Sequence, residues 1–479
     1  MFIILNVIIM LSIKNSIYGL GLDLATSYAL RNPKKNIPKL VNGVKRFASN
    51  PVQRGQLQAF YDEKNPMYQW LLNIMENTTP KTVKRFVRNF GVNSAMIGVK
   101  RSQKLMKKHH CNIPIAILLD PTSACNLNCI GCWAAEYAKT DNLSFELMDR
   151  IITEGKALGT HWYLYSGGEP TIRKKDLLKL AKIHQDCFFL AFTNGTLVDD
   201  EFAKALAEVG NFTLAISVEG FEEETDFRRG KGTYQKIMNA MRLLKKHGVM
   251  FGISSCYHSK NTEVIGSEKY FDYMINLGAS YAWLFTYMPL GKDAVMDLMC
   301  TPEQRSFMFE QVRKFRKSKP MLMIDFWNDG DYSRGCIAGG RSFFHINANG
   351  DVEPCAFIHY SNVNIKDVSV LEALKSPLFK QYNENQPFNK NYLRPCPLLD
   401  NPDRLKEMVH ASNAKSTQML DKESVDDLTD KCQRVSKNWA PVADKIRRES
   451  DKLAPFVNKM PPRFWDSNWD EAEELIEDV

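Results

Sequence analysis

The sequence has no apolar run long enough to cross a bilayer. Its one candidate, Phe2 to Ile13, is broken by Asn6 and Ser12 and reaches about half of the ~20 residues that a spanning helix needs. No Lys or Arg precedes that run, and the Ser-Ile-Tyr-Gly that follows is a poor cleavage match. The segment therefore does not read as a secretory signal. Three readings of it stay open: an interfacial anchor, a helix packed on the protein, or a start upstream of the true one. A helix touching a membrane or protein surface is the favoured expectation. Helix-turn-helix, zinc-finger and RNP motifs are absent, which argues against nucleic acid as a partner. The basic run of Arg101, Lys104, Lys107 and Lys108 with His109 and His110 reads as a solvated face or linker. The cysteines number 11, an odd count, and three are crowded together, so a secreted disulfide framework is excluded. Reduced, metal-binding thiols in a reducing cytosol fit better, and the expected location is cytoplasmic, with membrane association through the N-terminus left open. The nine histidines offer no metal-ligand pair beyond His109-His110, which cannot share one helix face. No side chain stands out as a general base.

What remains is an ordinary globular composition, 44% apolar and 25% charged, with a mild net charge of +8 over 479 residues. Such a length accommodates one large core and two or three domains. The chemistry is concentrated in Cys125-Asn126-Leu127-Asn128-Cys129-Ile130-Gly131-Cys132-Trp133, directly after the apolar Ile115 to Leu119. Thiolates select zinc, copper(I) or iron–sulfur. A structural zinc site wants four protein ligands, usually as two separated pairs, and this is a single triplet. A [4Fe–4S] cluster normally takes four cysteines, so a three-cysteine loop leaves one iron open to another ligand. A zinc knuckle or three unrelated core cysteines are the alternatives.

From about 112 onward, short β-branched and aromatic segments alternate with amphipathic ones. The strands are expected at Ile115–Asp120, Trp162–Tyr165, Cys187–Phe192, Phe212–Val218, Phe251–Tyr257 and Ala282–Tyr287. The helices between them include Ser144–Leu158 with Ser144 as N-cap, and one opened by Thr301-Pro302-Glu303-Gln304. Six β/α units imply a parallel sheet covered by helices. Ligands gather at the carboxyl ends of such strands, and each motif lies there. The cysteines follow the first strand, and Gly167-Gly168-Glu169-Pro170 follows the second. Thr193-Asn194-Gly195 follows the third, Ser217-Val218-Glu219 ends the fourth, and Met288-Pro289-Leu290-Gly291 follows the sixth.

The triplet, its place after a first strand and the Gly-Gly-Glu-Pro segment one strand later resemble the radical S-adenosylmethionine (SAM) superfamily. The resemblance implies a partial (β/α)6 barrel in an α/β chain. It also implies a [4Fe–4S] cluster on Cys125, Cys129 and Cys132 whose open iron binds S-adenosyl-L-methionine. In that family an electron delivered to the cluster, as from ferredoxin or flavodoxin, cleaves SAM to a 5'-deoxyadenosyl radical that abstracts hydrogen from substrate. Gly131 would let the loop close, and Trp133 would shield one side of it. Gly167, Gly168 and Glu169 resemble the segment that receives the SAM amino group. Thr193, Asn194, Ser217 and Glu219 match positions that hold ribose and carboxylate, with turn or cap roles as the alternative. Arg229 resembles an arginine that reaches the SAM carboxylate, its alternative being an exposed basic loop. Ser254 and the 288–291 turn match adenine- and ribose-side positions loosely.

Beyond the sixth unit, Met321–Trp327 reads as another strand. The pattern Cys336-x13-Gly350-x4-Cys355 around the hairpin signal Asn349-Gly350 follows. It resembles the opening of the auxiliary-cluster module called SPASM, or its shortened twitch form. Cys396 in Arg394-Pro395-Cys396-Pro397 is the expected third ligand, and Cys432 either supplies a fourth or leaves the site open. The dense C-x2-C-x5-C-x3-C run of a full module is missing, which favours one auxiliary [4Fe–4S] cluster. Zinc at the same thiolates, or a hairpin with incidental cysteines, are the alternatives. The expected division is a helical region over 1–110, the radical SAM core over 111–320, the small Fe–S module over 321–400 and a helical, charged extension over 401–479. The expected activity is radical SAM chemistry on a peptide or protein. A lipid or isoprenoid at a membrane is the second reading, and a non-catalytic cysteine-rich metal-binding protein the third.

Overall fold

The structure, a computed structural model, describes residues 17–45, 62–135, 137–291, 293–420 and 422–453. The apolar run at 2–13 and the acidic tail lie outside the described residues.

Among the described residues five helices precede the sheet: α1 (Ile17–Arg31), α2 (Pro33–Lys45), α3 (Pro66–Asn77), α4 (Pro80–Phe86) and α5 (Val99–His109), with a π-helical stretch, Val87–Gly98, between the last two. Proline opens α3 and α4 at the first turn, where its missing N–H costs nothing. The barrel strands follow as β1 (Ala116–Leu119), β2 (Trp162–Tyr165), β3 (Phe188–Thr193), β4 (Phe212–Ser217), β5 (Phe251–Tyr257) and β6 (Tyr281–Thr286). Between them run α6 (Phe145–Leu158), α7 (Lys174–Ile183), α8 (Asp200–Val209), α9 (Glu222–Arg229), α10 (Thr233–Lys246) and α11 (Glu268–Leu277), and α12 (Pro302–Ser318) comes after β6. Ser144 caps α6 by accepting from the Leu147 N–H, and Thr301 and Gln304 form the capping box of α12.

All six expected strands are present and parallel, but the sheet does not stop there. β7 (Leu322–Asp325) adds beside β6. On the opposite edge β8 (Phe343–Ile346) pairs parallel to β1, and β9 (Val352–Glu353) closes a hairpin onto β8. The result is one open nine-stranded sheet in the order β7-β6-β5-β4-β3-β2-β1-β8-β9. The hairpin read from Asn349-Gly350 thus extends the barrel sheet itself. A small antiparallel pair, β10 (Tyr360–Ser361) with β11 (Lys415–Ser416), lies outside it. Three helices finish the described chain: α13 (Pro377–Asn385), α14 (Pro402–Ser412) and α15 (Val425–Leu453).

Alternation along each strand builds two cores. Ile117, Leu119, Tyr163, Tyr165, Phe189 and Leu214 face the covering helices. Leu118, Trp162, Leu164, Phe188, Leu190 and Trp283 face inward. The amino-terminal mouth of this interior is filled by the preceding helices. Trp70, Ile74, Val83, Phe86 and Phe90 pack into the inner core, and Trp70 Nε1 donates to the Ser280 carbonyl at 2.7 Å. Phe90 meets Trp162 edge-on with centroids 5.1 Å apart. Sealing one end leaves the carboxyl ends of the strands as the open side.

Candidate functional site

The three cysteines lie on the loop that leaves β1. All are free and half-buried. Burial pushes the Cys125 thiol up to about 11 and also raises that of Cys132, and the neighbouring thiols add to both shifts. A bound cation would reverse this by drawing off the protons.

Glycine shapes the loop and the segment facing it. Gly131 has φ +62°, and a Cβ there would lie 2.5 Å from the Tyr287 ring. The Gly168 N–H donates to the Thr122 carbonyl at 3.0 Å, and Glu169 N–H to that of Ala124 at 2.7 Å. A Cβ on Gly168 would overlap the carbonyls of Ser123 and Ala124. Gly167 and Gly168 therefore let the strand-two turn lie flat against the backbone leading into Cys125.

Glu169 is buried at 1% exposure. Its carboxylate accepts from Thr193 Oγ1 at 2.6 Å, from the Asn194 N–H at 2.7 Å and from the Thr171 N–H at 2.9 Å. It ties the ends of β2 and β3 together. Asn194 Nδ2 in turn donates to Asn126 Oδ1 at 2.9 Å, and Asn126 Nδ2 to Thr196 Oγ1 at 2.8 Å, which fixes the residue after Cys125.

On the other side of the loop sits a buried charge cluster. Glu219, just beyond β4, is fully buried and receives Arg228 Nη1 at 2.7 Å and Arg229 Nε at 2.8 Å, with the Cys256 N–H at 2.9 Å. Burial alone would raise its carboxyl, but the two guanidiniums hold it below the usual carboxylate range. Arg228 also grips the cysteine loop directly. Its carbonyl accepts from the Ile130 N–H at 2.9 Å and its Nη2 donates to the Gly131 carbonyl at 3.3 Å. Arg229 is not part of an exposed loop: it ends α9 with its side chain 12% exposed. Arg228 was missed by the sequence reading, although Glu222-Glu223-Glu224 and Arg228-Arg229 carry the charge order of a helix start and end. Ser217 and Ser254 pair across β4 and β5 at the same rim.

A second set of thiols lies past the barrel. Cys355 and Cys432 belong to one buried apolar cluster with Leu398, Leu399, Leu405 and Leu428, and Cys336 and Cys396 pack against it. Burial pushes Cys336 up to about 11 and Cys396 up to about 12. An aromatic wall joins the two sets. Trp133, next to Cys132, stacks on His359 at 6.0 Å and meets Phe357 at 6.1 Å. Phe357 continues to Phe285 at 6.2 Å, and Phe285 to Phe192 and Phe326 at 5.8 and 5.4 Å. All but the ring-stacked histidine remain half-buried on the inner side of the sheet. Trp133 thus turns toward the second thiol set.

Beneath this wall runs a buried polar chain. His345 bridges Asp120 Oδ2 at 2.9 Å and Glu353 Oε2 at 2.7 Å, and Tyr137 OH reaches Glu353 Oε1 at 3.0 Å. Burial opposes the His345 cation, but Asp120 and Glu353 raise it to about 10. Burial likewise opposes the Glu353 anion, and His345 and His359 hold it down to about 2.

A family model of the radical SAM superfamily matches residues 119–259, and one described as an iron-sulfur cluster-binding domain, SPASM, matches 336–398. The chain thus carries a radical SAM domain followed by a SPASM domain. An AdoMet-dependent heme synthase of Methanosarcina barkeri is 26% identical over 285 residues, 53% of this chain and 80% of the relative. A PqqA peptide cyclase of Rhodopseudomonas palustris is 26% identical over 262 residues, 51% of this chain and 67% of the relative. Streptococcus suis SuiB, solved bound to its precursor peptide SuiA, superposes with a TM-score of 0.52 at 17% identity, covering 71% of this chain and 80% of that one. This last likeness supports the fold, an open radical SAM barrel. The chain is a radical SAM enzyme, whose core binds a [4Fe–4S] cluster and SAM, followed by a domain that binds auxiliary Fe–S clusters.

The donor sets fit such groups. Among the described residues, the one set of three donor atoms lying within 4.8 Å of one another is His161, Asp186 and Cys187. That set sits just ahead of β2 and β3, at the sealed end, where Lys156 already holds Asp186 at 2.9 Å. Neither thiol set is drawn together that tightly, whereas a tetrahedral zinc would bring its sulfurs to about 3.8 Å. What fits an iron–sulfur cluster is the donor chemistry, since both sets offer thiolates alone.

Proposed function

We propose that this radical SAM enzyme abstracts hydrogen from a peptide or protein side chain held against the aromatic wall between its two thiol sets. The observation that carries the reading is the wall itself. It starts at Trp133, beside the first thiol set, and reaches Phe357, two residues past Cys355. Cys125, Cys129 and Cys132 hold the first cluster and leave one iron for SAM. When bound, these groups supply a 5'-deoxyadenosyl radical. Everything else is orientation and exclusion of water by the chain. Gly167 and Gly168 bring backbone against the loop, and Glu169 fixes Thr193 and Asn194 at the rim where SAM lies. Ser217, Glu219 and Arg229 form the opposite rim. Arg228 and Arg229 against one carboxylate leave a net positive charge facing the thiolates and the SAM carboxylate. Cys336, Cys355 and Cys396 hold an auxiliary cluster at the far end of the wall. The electrons come from a ferredoxin or flavodoxin.

The PqqA cyclase and SuiB support the peptide class, since the first is named a peptide cyclase and the second was solved bound to a precursor peptide. A second reading, a flat tetrapyrrole, is favoured by the heme synthase relative. Among the described residues no helix is long and apolar enough to cross a membrane, and the apolar run behind the lipid reading lies outside them.

The test is anaerobic SAM cleavage after cluster reconstitution. The wild type should form 5'-deoxyadenosine under reductant, and Cys129→Ala should form none. Unchanged production by the variant contradicts the cluster assignment. Titration with an iron porphyrin separates the substrate classes. No Soret shift, together with peptide-stimulated 5'-deoxyadenosine, supports the peptide. A shift that is lost in Phe285→Ala supports the tetrapyrrole.

A further inference from the structure

The iron–sulfur domain match ends at 398, and it contains three cysteines, 336, 355 and 396. A [4Fe–4S] cluster wants four thiolates. The candidate lies outside the match, two turns into α15. Cys432 is 0% exposed and shares its apolar cluster with Cys355, with Cys336 and Cys396 packed alongside. Free cysteine is often buried as a small hydrophobe, so burial alone does not make a ligand. Here four of the chain's 11 thiols converge on one small core from four separate segments. The carboxylates nearby carry partners of their own. Asp400 gives one oxygen to Arg305 Nη1 at 2.5 Å and the other to the Cys396 N–H at 3.0 Å. Glu423 is paired with Lys431 at 2.6 Å.

α15 is also anchored to both neighbourhoods. Ser436 Oγ donates to the Asp400 carbonyl at 2.6 Å and Trp439 Nε1 to that of Leu393 at 3.0 Å, gripping the segment that carries Cys396. The Arg305 guanidinium lies over the Trp439 ring at 4.3 Å. Lys431 Nζ, next to Cys432, donates to the Gly291 carbonyl at 2.7 Å. That turn follows Tyr287, whose ring lies against Gly131 of the first loop.

We propose that Cys432 is the fourth ligand of the auxiliary cluster, so that four thiolates close the site and α15 is the element that closes it. This rests on the auxiliary-cluster reading above. On loading, the Cys432 thiol releases its proton to solvent and forms the Fe–S bond, with no change in electron count. A closed site has no iron free for substrate, which leaves electron transfer as the cluster's role. The Fe–S bond then adds to the contacts that already dock α15.

The test uses the full chain with Cys125, Cys129 and Cys132 all replaced by alanine, reconstituted anaerobically. With Cys432 present it should hold about four irons and matching sulfide and give a [4Fe–4S] resonance on reduction. Cys432→Ala in that background should lose iron or convert the signal to a three-iron form, and protease should cut α15 faster. Cys432→Ser should keep the iron with a shifted resonance, and Cys187→Ala, a buried barrel thiol, should change nothing. An unaltered resonance and unchanged protease resistance in Cys432→Ala overturn the proposal. If that variant fails to fold, an unaltered resonance in Cys432→Ser overturns it equally. A background that takes up no iron with Cys432 intact contradicts the auxiliary site and this assignment together.

Discussion

The two thiol sets are built by opposite means. The first comes from one short loop, and its surroundings are charged. Arg228 clasps the loop, Glu219 clasps Arg228 and Arg229, and Glu169 with Asn194 and Asn126 holds the other flank. The second is gathered from four distant segments into an apolar core, with Asp400, Glu423, Lys431 and Arg341 as the charges nearest it. Cations beside the first loop lower the Cys132 thiol against its burial, whereas Asp400 adds to the rise at Cys396. A local site is specified by sequence spacing and tuned by ion pairs. A distributed one is specified by the fold and held by burial.

The largest effect should come from breaking the charge cluster. Glu219→Ala leaves Arg228 and Arg229 buried without their anion, a loss of about 3–5 kcal/mol for a buried pair. Chemical denaturation should read that loss, and iron analysis should show the first site emptied ahead of the second.

The next experiment cuts the link between the two regions. His345 joins Asp120 at the end of β1 to Glu353, two residues before Cys355. With its folded value raised to about 10, the His345 contribution is complete below its ordinary 6.5 and is lost as pH climbs toward 10. With Glu353 lowered to about 2, its contribution is complete above its ordinary 4.5 and is lost as pH falls toward 2. The difference in Tm between the wild type and His345→Gln should therefore be widest between pH 4.5 and 6.5 and should shrink on either side. A difference that does not vary with pH contradicts the ionised bridge.

Gly168→Ala sharpens the contrast at the local site. The added methyl meets the Ser123 and Ala124 carbonyls, and overpacking of this kind costs roughly 1–3 kcal/mol. Iron in the first site should fall while the auxiliary resonance stays. The smallest expected effect on iron content is that of Thr193→Val, which removes the hydrogen bond to Glu169 and the acceptor of the Gly195 N–H at about 1–2 kcal/mol and should weaken SAM binding without emptying either site.

The same contrast explains what the sequence revealed. Period-two strands and capped helices are local, so β1 to β6 and the caps at Ser144 and Thr301 were legible to within a residue or so. Cys125, Cys129 and Cys132 were legible for the same reason. The pairing of β8 with β1 was not, because nothing in Phe343–Ile346 names its partner across more than two hundred residues. Glu169 reads from sequence as a rim acid, yet its carboxylate is spent on Thr171, Thr193 and Asn194. Arg228 went unseen because α9 is short and polar, so hydrophobic periodicity does not announce it. Asp120, His345 and Glu353 are separated in sequence and meet through the added strands.

The central claim, two independent iron–sulfur sites joined by an aromatic wall, is tested most directly by metal and sulfide analysis of anaerobically purified protein. Wild type is to be compared with the variant lacking Cys125, Cys129 and Cys132. The account predicts iron and acid-labile sulfide in both, with the variant retaining about half. Zinc without iron or sulfide, or complete loss of iron in the variant, would contradict it.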